Sequence, residues 1–535
     1  MMRRLQMRLF VLLLLAGGWL SMKAVTLEAS SKQAVYEGTS LARLTIVSGS
    51  GKTSYVSGVI DDPNDPAATV GIWFNAPTGS KLTFSSGNTK VVQVADITAE
   101  EIEQGLFAVR IKPTGVGTAK ITVKLSGASD YTIQYAASKA SARPQQTAWL
   151  AGLSDASAVA DVGDGYMFVA DDETNVLRLY NTTVSGMPLA SFDATNVAGG
   201  TSGEEFDLEG ATLSEDGTTI YWIGALSNSK KGKEKPYRNR AFSTKVSGLG
   251  AQTTLSGGAY TDKMRQAMIA FGDANGWNFT ASASYENEMI PKRIDGFNVE
   301  GLALKQGGGT AYVGFRAPCV PKKGVTPTSS NRKYAVMAPV TNFESIFSGS
   351  GKSSVTPQTG NPVLFDFGGL GIRAIERVGG YYVIVAGTFE GGGTPKVYLW
   401  DGTTNANDDP ITVAGGHLTL MNLDMNDLGG DNGHPEALKV RQEGNQLLLD
   451  LVSDCGSEDM YNDGKENKTF STDSKKYPWS KFRVDSYVYS LPLSTDIGAP
   501  AMQPMAVNTV YTLRLANGHC LQIVKQGDKT TKHLF

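Results

Sequence analysis

Four short runs put a charged side chain at the same place in the same local pattern. They are Asp207-Leu-Glu-Gly-Ala211, Asn298-Val-Glu-Gly-Leu302, Gly371-Ile-Arg-Ala-Ile375 and His434-Pro-Glu-Ala-Leu438. The third residue of each is Glu209, Glu300, Arg373 or Glu436, followed by glycine or alanine and then by apolar residues. Carboxylates and guanidinium groups repeated in this way can pair with one another, grip an anion, coordinate a cation or activate water. Glu300, Glu436 and Glu209 are therefore candidate general bases, and Arg316 and Arg373 candidate anion holders. Asp207 and His434 open two of the runs, while Asp172, Ser227, Arg316 and Asp454 end the apolar stretches that follow. Arg238 and Arg240 lie in the basic stretch 230–240, whose lysines read as a solvated loop. The set expected at a ligand site is Asp207, Glu209, Ser227, Arg238, Arg240, Glu300, Arg316, Arg373, His434, Glu436 and Asp454.

Other motifs fail on inspection. Gly49-Ser-Gly-Lys-Thr53 and Gly349-Ser-Gly-Lys-Ser353 imitate half a phosphate loop, but Ile46 and Ile346 stand where its first glycine belongs. Three widely spaced cysteines, 319, 455 and 520, supply neither a disulfide framework nor zinc spacing. The histidines form no HExxH pair, and no G-x-S-x-G nucleophile motif stands out. The acidic stretches 424–431 and 454–463 lack EF-hand ligand spacing. No metal is assigned from sequence and the cofactor stays open, a divalent cation such as calcium having no motif behind it.

The elements that position these residues are strands. Five segments share one plan, an apolar strand, a turn and a second strongly apolar strand, starting at 155, 207, 298, 371 and 434. The first, Asp155-Ala-Ser-Ala-Val159, lacks the charged third residue and fits least well. Hairpin repeats at periods near 50 residues read as propeller blades, and the intervals of 52, 91, 73 and 63 leave room for insertions or a degenerate blade. We expect five to seven blades, six in the best reading, over 147–498. A small helical insertion over 261–271 puts Met264, Ala267, Met268 and Phe271 on one face. In a propeller the first strand of each blade lines the central channel, so the charged residues gather in a funnel on one face.

Before this region, 25–140 reads as a β-sandwich of short alternating strands, with one short helical piece over Thr98–Glu103. A polar linker follows at 141–146. Residues 499–535 form a short β tail. The fold class is all-β.

The N-terminal 24 residues carry Arg3, Arg4 and Arg8, then the apolar run 9–16, small residues and Lys23-Ala24, the order of a secretory signal peptide. The apolar run is too short to span a bilayer. Removing these residues takes the net charge from −3 to −7, which argues against nucleic acid or an anionic membrane as partner. We expect an extracytoplasmic protein, whether secreted, periplasmic or at the cell surface, with no integral membrane segment.

Several resemblances accompany these residues. Asp207–Ala211, Tyr221–Ser227, Arg238–Phe242, Asn298–Ala303, Val313–Pro318, Gly371–Ile375, Ala386-Gly387, Tyr398–Gly402 and His434–Leu438 together resemble the domain-of-unknown-function 3616 family over about 147–495. Ala437 replaces the family's usual glycine, and Ala225-Leu226-Ser227 departs from its Ser-His-Ser block. The resemblance implies a fold and a set of positions, not an activity. Blade starts of the Glu-Gly type are also similar, more distantly, to phytase-like esterases. Gly115–Val123 resembles bacterial immunoglobulin-like modules, and 522–529 resembles the sorting tails read by the type IX secretion machinery of Gram-negative bacteria. Three functions remain open. The funnel binds a small anionic or polar ligand, glycan or peptide; it hydrolyses phosphoesters or carboxylic esters; or the protein is a structural part of the cell envelope.

Overall fold

The computed structural model describes residues 25–29, 47–49, 52–60, 70–138, 147–285, 290–425, 433–473 and 475–491, with three tail strands at 509–514, 520–526 and 529–534. The signal sequence at 1–24, the linker at 141–146 and most of the acidic loop 424–431 lie outside the described residues.

Each repeat becomes one antiparallel blade because its apolar strands are joined by short turns and must bury both faces against neighbouring blades. The inner strands are Ala156–Gly163, Leu208–Leu213, Asn298–Leu304, Gly371–Val378 and His434–Glu443, and they define blades I to V. Blades I to IV each continue outward through three further strands in chain order. Blade V is closed by the other end of the region: Thr147–Ala151 pairs with Lys481–Ser490 as its outermost strand. The inner strands neighbour one another around a complete ring, with blade V against blade I. The described residues thus form five blades, where six were expected. The long intervals hold insertions instead. Between blades II and III lie the helices Met264–Ala274 and Phe279–Ser282, and Met264, Met268 and Phe271 pack into the core between those two blades. After the third strand of blade III, Gly351–Lys352 crosses back to pair in parallel with the outer strand of blade II. This makes the second phosphate-loop imitation a surface edge.

The N-terminal region is a two-sheet sandwich. One sheet orders Glu28–Ala29, Val70–Asn75, Leu106–Ile111 and Ile97–Glu103; the other orders Val47–Gly49, Thr53–Val59, Tyr131–Ser138, Gly117–Lys124 and Thr83–Ser86. Their inner faces share a core that includes Ile72, Phe74, Val109, Ile121 and Ile133. The expected helical piece at 98–103 is an edge strand. Ile97–Glu103 pairs with Leu106–Ile111 across a turn at Gly105, whose φ of +78° suits glycine, and this pairing overrides the local helix preference of Ala-Glu-Glu. The sandwich packs on blade V through a shared apolar cluster of Val59, Ala136, Trp149, Tyr461, Phe470 and Trp479. Within that contact Lys481 is buried and its ammonium donates to Gly58 O and, at 2.8 Å, to Ser138 Oγ. The tail strands Thr509–Arg514, Cys520–Gln526 and Lys529–Leu534 form a separate antiparallel sheet. Among the described residues no helix is long and apolar enough to cross a membrane.

Candidate functional site

All five inner strands are interrupted at the same place. Pairing with the second strand of the blade skips one residue between Ala156 and Ala158, Leu208 and Gly210, Val299 and Gly301, Ile372 and Ala374, and Pro435 and Ala437. The skipped residues are Ser157, Glu209, Glu300, Arg373 and Glu436. A bulge frees one residue from the ladder and redirects its side chain, and here it does so five times around one axis. The residue after each bulge is small, Ala158, Gly210, Gly301, Ala374 or Ala437, because neighbouring inner strands crowd together there. A Cβ on Gly301 would lie 2.9 Å from the Ile375 side chain of the next blade. Ala158, Ala374 and Ala437 are buried with a methyl group at the same place, so the crowding that demands glycine in blade III is relaxed in blades I, IV and V.

Above the bulges, on the face where inner strands begin and second strands end, lies a cavity of about 270 Å³. Asp207, Glu209, Ser227, Arg238, Arg316, Arg373, His434, Glu436 and Asp454 all line it. Glu300 lies at its floor, where the channel narrows to about 10 Å³ among Ala211, Leu302, Ile375 and Leu438. Arg240 lies outside. It pairs with Asp262 at 3.4 Å and stacks over the rings of Tyr237 and Tyr260 on the outer part of blade II. Its place in the expected set came from its match, with Arg238, to positions of the family; the short turn Pro236–Asn239 ends between the two residues, and only Arg238 reaches the cavity.

The charges divide into two groups. Glu300, 1% exposed, accepts from Arg316 Nη1 at 2.6 Å, Asn298 donates to it at 3.0 Å, and its Oε2 forms an ion pair with Arg373 Nε at 3.1 Å. Arg373 also contacts Glu436, and Arg316 Nε donates to Phe389 O at 3.0 Å. Blades III, IV and V are thereby tied by one buried ion-pair chain, and Arg373 Nη1 is left without a hydrogen-bond partner. Arg238 likewise holds Asp207 at 2.5 Å and contacts Glu205. Burial nevertheless outweighs Arg238 and pushes Asp207 up to about 6.

Apart from this pair within blade II, no ion pair among the described residues reaches Glu209 at the bulge of blade II or Asp155 and Asp172 on blade I. Glu209 is 6% exposed, and its Oε2 has no hydrogen-bond partner. Burial, then the neighbouring charges of Glu300 and Asp207, hold its carboxyl well above the usual range. Asp155 and Asp172 face the same cavity. Burial, Asp454 and Asp171 push Asp155 up to about 8, and burial with Asp155 and Asp454 raises Asp172 well above its ordinary value. Opposite them, Lys292 from the 262–296 insertion is depressed by burial and by Arg316 and Lys230. His434 is lowered mainly by burial, which keeps the imidazole neutral at pH 7.

The loop presenting Ser227 is held by the insertion. Arg265 on the helix Met264–Ala274 is buried and donates to Leu226 O, Asn228 Oδ1 and Ala283 O. Asp207 and Leu226, at φ +53° and +54°, occupy the left-handed region on either side of this junction. Such backbone costs on the order of 1 kcal/mol or more and persists where its surroundings hold it.

Sequence reasoning passed over Asp155 and Lys292. Asp155 stands two residues before its bulge, the place Asp207 takes in blade II, but the serine at 157 made that repeat look degenerate. Lys292 sits in an insertion that no repeat marks.

With this geometry in view, the comparisons can be stated. The family model described as "Protein of unknown function (DUF3616)" matches residues 282–466, which span blades III and IV and the inner half of blade V. No curated protein matches the chain. Among solved structures, the chain is similar to a structural genomics protein of unknown function from Bacteroides thetaiotaomicron at 8% identity and a TM-score of 0.25, with 83% of this chain and 98% of that one covered. It is also similar to the PQQ-bound aldose sugar dehydrogenase of Streptomyces coelicolor, at 10% identity and a TM-score of 0.28 over 65% of this chain and 100% of that one. The glutaminyl cyclase of Myxococcus xanthus gives 10%, 0.28, 66% and 97%. These likenesses are too slight to carry an activity across. The five-bladed ring stands on its own strand pairing.

Proposed function

We propose that the funnel is the working surface of this protein and binds a small polar ligand through an anionic group. The observation that carries this reading is Arg373 Nη1, a buried guanidinium nitrogen with no hydrogen-bond partner, in a guanidinium that lines the polar cavity. Lys230, Lys292 and Arg316 line the same cavity, and their mutual repulsion is relieved by an anion. Concave sites with a few convergent polar groups are the usual place for such ligands. Phosphate and simple sugar acids serve as probes in calorimetric titration. Lys292→Ala, which breaks no ion pair among the described residues, is expected to weaken phosphate binding about tenfold, ~1.4 kcal/mol. No saturable heat with any of these anions overturns the reading.

A hydrolase is the second reading, and one residue favours it. Of the three candidate bases, Glu300 and Glu436 are committed to arginines, whereas Glu209 has no ion pair and keeps an unpartnered Oε2 in the cavity, with burial raising its carboxyl toward the range of a general acid or base. Turnover of a phosphoester or carboxylic ester that is lost in Glu209→Gln would establish it. A purely structural role suits the ion-pair chain of blades III to V but leaves the blade I and II carboxylates without a purpose.

We further propose that the protein acts outside the cytoplasm. Cleavage after Ala24 releases the mature chain, the sandwich serves as an immunoglobulin-like module, and the tail sheet is read by a secretion machinery. N-terminal sequencing of envelope or medium protein tests this. An intact Met1 end there overturns the export claim.

A further inference from the structure

We propose that the acidic wall of the funnel, formed by Asp155, Asp172 and Glu173 of blade I, binds a hard divalent cation of the calcium or magnesium class. One oxygen from each of the three carboxylates lies within 4.8 Å of the other two. A single ion about 2.1–2.5 Å from each oxygen spans that spacing, and an all-oxygen donor set suits these ions rather than softer metals.

An independent observation points the same way. Glu209, on the next blade and outside the cluster, is 94% buried by its 6% exposure, lines the same cavity and leaves Oε2 without any partner. Asp172 Oδ1 is also buried and unpartnered. Among the described residues no lysine or arginine ion pair reaches Asp155, Asp172 or Glu209, because the arginines of the funnel are engaged with Asp207, Glu300 and Glu436. Lys468, the nearest lysine on this wall, is turned to Glu466 at 3.0 Å. These carboxylates are gathered without a direct ion pair among the described residues, although Lys468 lies within electrostatic reach of Asp155 and Glu173, and burial holds Asp155 and Asp172 above their ordinary range. Surface acids escape such crowding by turning into water. Asp155 cannot, being buried, and its backbone is tied to that of the half-buried Asp172, whose N donates to Asp155 O at 3.2 Å beside the paired residues Ala156 and Asp171, while Glu173 stands exposed next to them.

The proposal stands apart from anion binding but has a consequence for it. A cation on this wall shares the cavity with Arg373 and Lys292, so it adds positive charge toward the same space and strengthens the hold on phosphate.

The full chain, treated with chelator and dialysed, is titrated with calcium alone and with magnesium alone. A saturable rise in Tm and measurable binding heat are expected for at least one ion. Asp155→Asn/Asp172→Asn should fold with an unchanged or higher Tm in chelator and should lose the ion-dependent rise. Asp473→Asn, on a surface turn, should keep it. Glu173→Gln, an exposed single change, covers the case in which the double variant does not fold, with binding weakened about tenfold. No saturable response to either ion overturns the proposal, as does a response that persists in the double variant or an ion affinity left unchanged in Glu173→Gln. Phosphate titrated without any cation separates the two readings. Phosphate binding with no cation response removes the cation site alone, and cation binding with no phosphate response removes the anion reading alone.

Discussion

Blades III to V and blades I to II place residues at equivalent bulges and arrive at opposite electrostatics. On one side, Glu300 sits between Arg316 and Arg373, and Arg373 reaches on to Glu436. On the other, Glu209 and Asp155 are buried to a comparable degree and, like the half-buried Asp172, have no arginine ion pair among the described residues. The backbone device is the same, so the difference lies in whether a guanidinium occupies the neighbouring blade. Glu300 has one at the bulge of the next blade and another at the end of its own second strand; beside Glu209 those places are taken by Glu300 itself and by Ser227. Buried charge is tolerable when paired and costly when alone, so the locked half reads as architecture and the unlocked half as a surface awaiting a partner.

The comparison is broken most forcefully at Glu300. Glu300→Gln removes the centre of the chain and strands two buried guanidinium groups, so a loss of about 3–5 kcal/mol is expected in denaturant unfolding. A loss under about 1 kcal/mol at this position removes the distinction between the halves.

The next effect is one of pH. The Asp155 carboxyl, pushed up to about 8, keeps a proton in the folded chain that the unfolded chain releases near pH 4. More protons bound when folded means that this residue's contribution to stability falls as pH rises from about 4 to about 8. Asp155→Asn is free of that loss, so without cations its stability should gain on the wild type across this window, by about 1–2 kcal/mol after local relaxation. Parallel melts at pH 5 and pH 8 in chelator measure it. Equal differences at the two pH values show that Asp155 is ionised throughout. The cation-induced rise in Tm runs in the same direction, larger at pH 8 than at pH 5, because the ion must displace the proton.

Arg240 gives a smaller effect and a control. Arg240→Met breaks the pair with Asp262 and the contacts with Tyr237 and Tyr260, for about 1 kcal/mol of stability. Phosphate and calcium titrations of this variant should match the wild type, since its side chain lies outside the funnel. The smallest change is expected at Glu209→Gln. A carboxyl with no ion pair, whose charged form burial disfavours, is close in shape to the amide that replaces it, so stability should move by less than about 0.5 kcal/mol in unfolding experiments, in contrast with Glu300→Gln at the equivalent bulge. A loss comparable to that of Glu300→Gln means that Glu209 is locked as well.

The repeated plan of small residue, apolar strand, turn and apolar strand was legible in the chain itself, because blades are local hairpins and their pattern is written in contiguous residues. So was the convergence of Glu209, Glu300, Arg373 and Glu436, since equal positions in equal repeats must return to one face of a ring. The buried face of the helix at 264–274 followed from its 3.6-residue spacing for the same local reason. Blade number was not legible, because an interval of 91 residues holds an insertion or a weak blade equally well, and only strand pairing decides between them. The edge strand at 97–103 depended on a partner strand, and the closure of blade V on residues far from it in the chain, from 147 to 490. The partition of the charges lay furthest from the sequence. Whether a glutamate is locked or free depends on which side chain the next blade brings within about 3 Å, a distance set by the packing of five inner strands around a common axis. Glu209 and Glu300 share the motif Glu-Gly-apolar, and tertiary structure alone gives one two arginines and the other none.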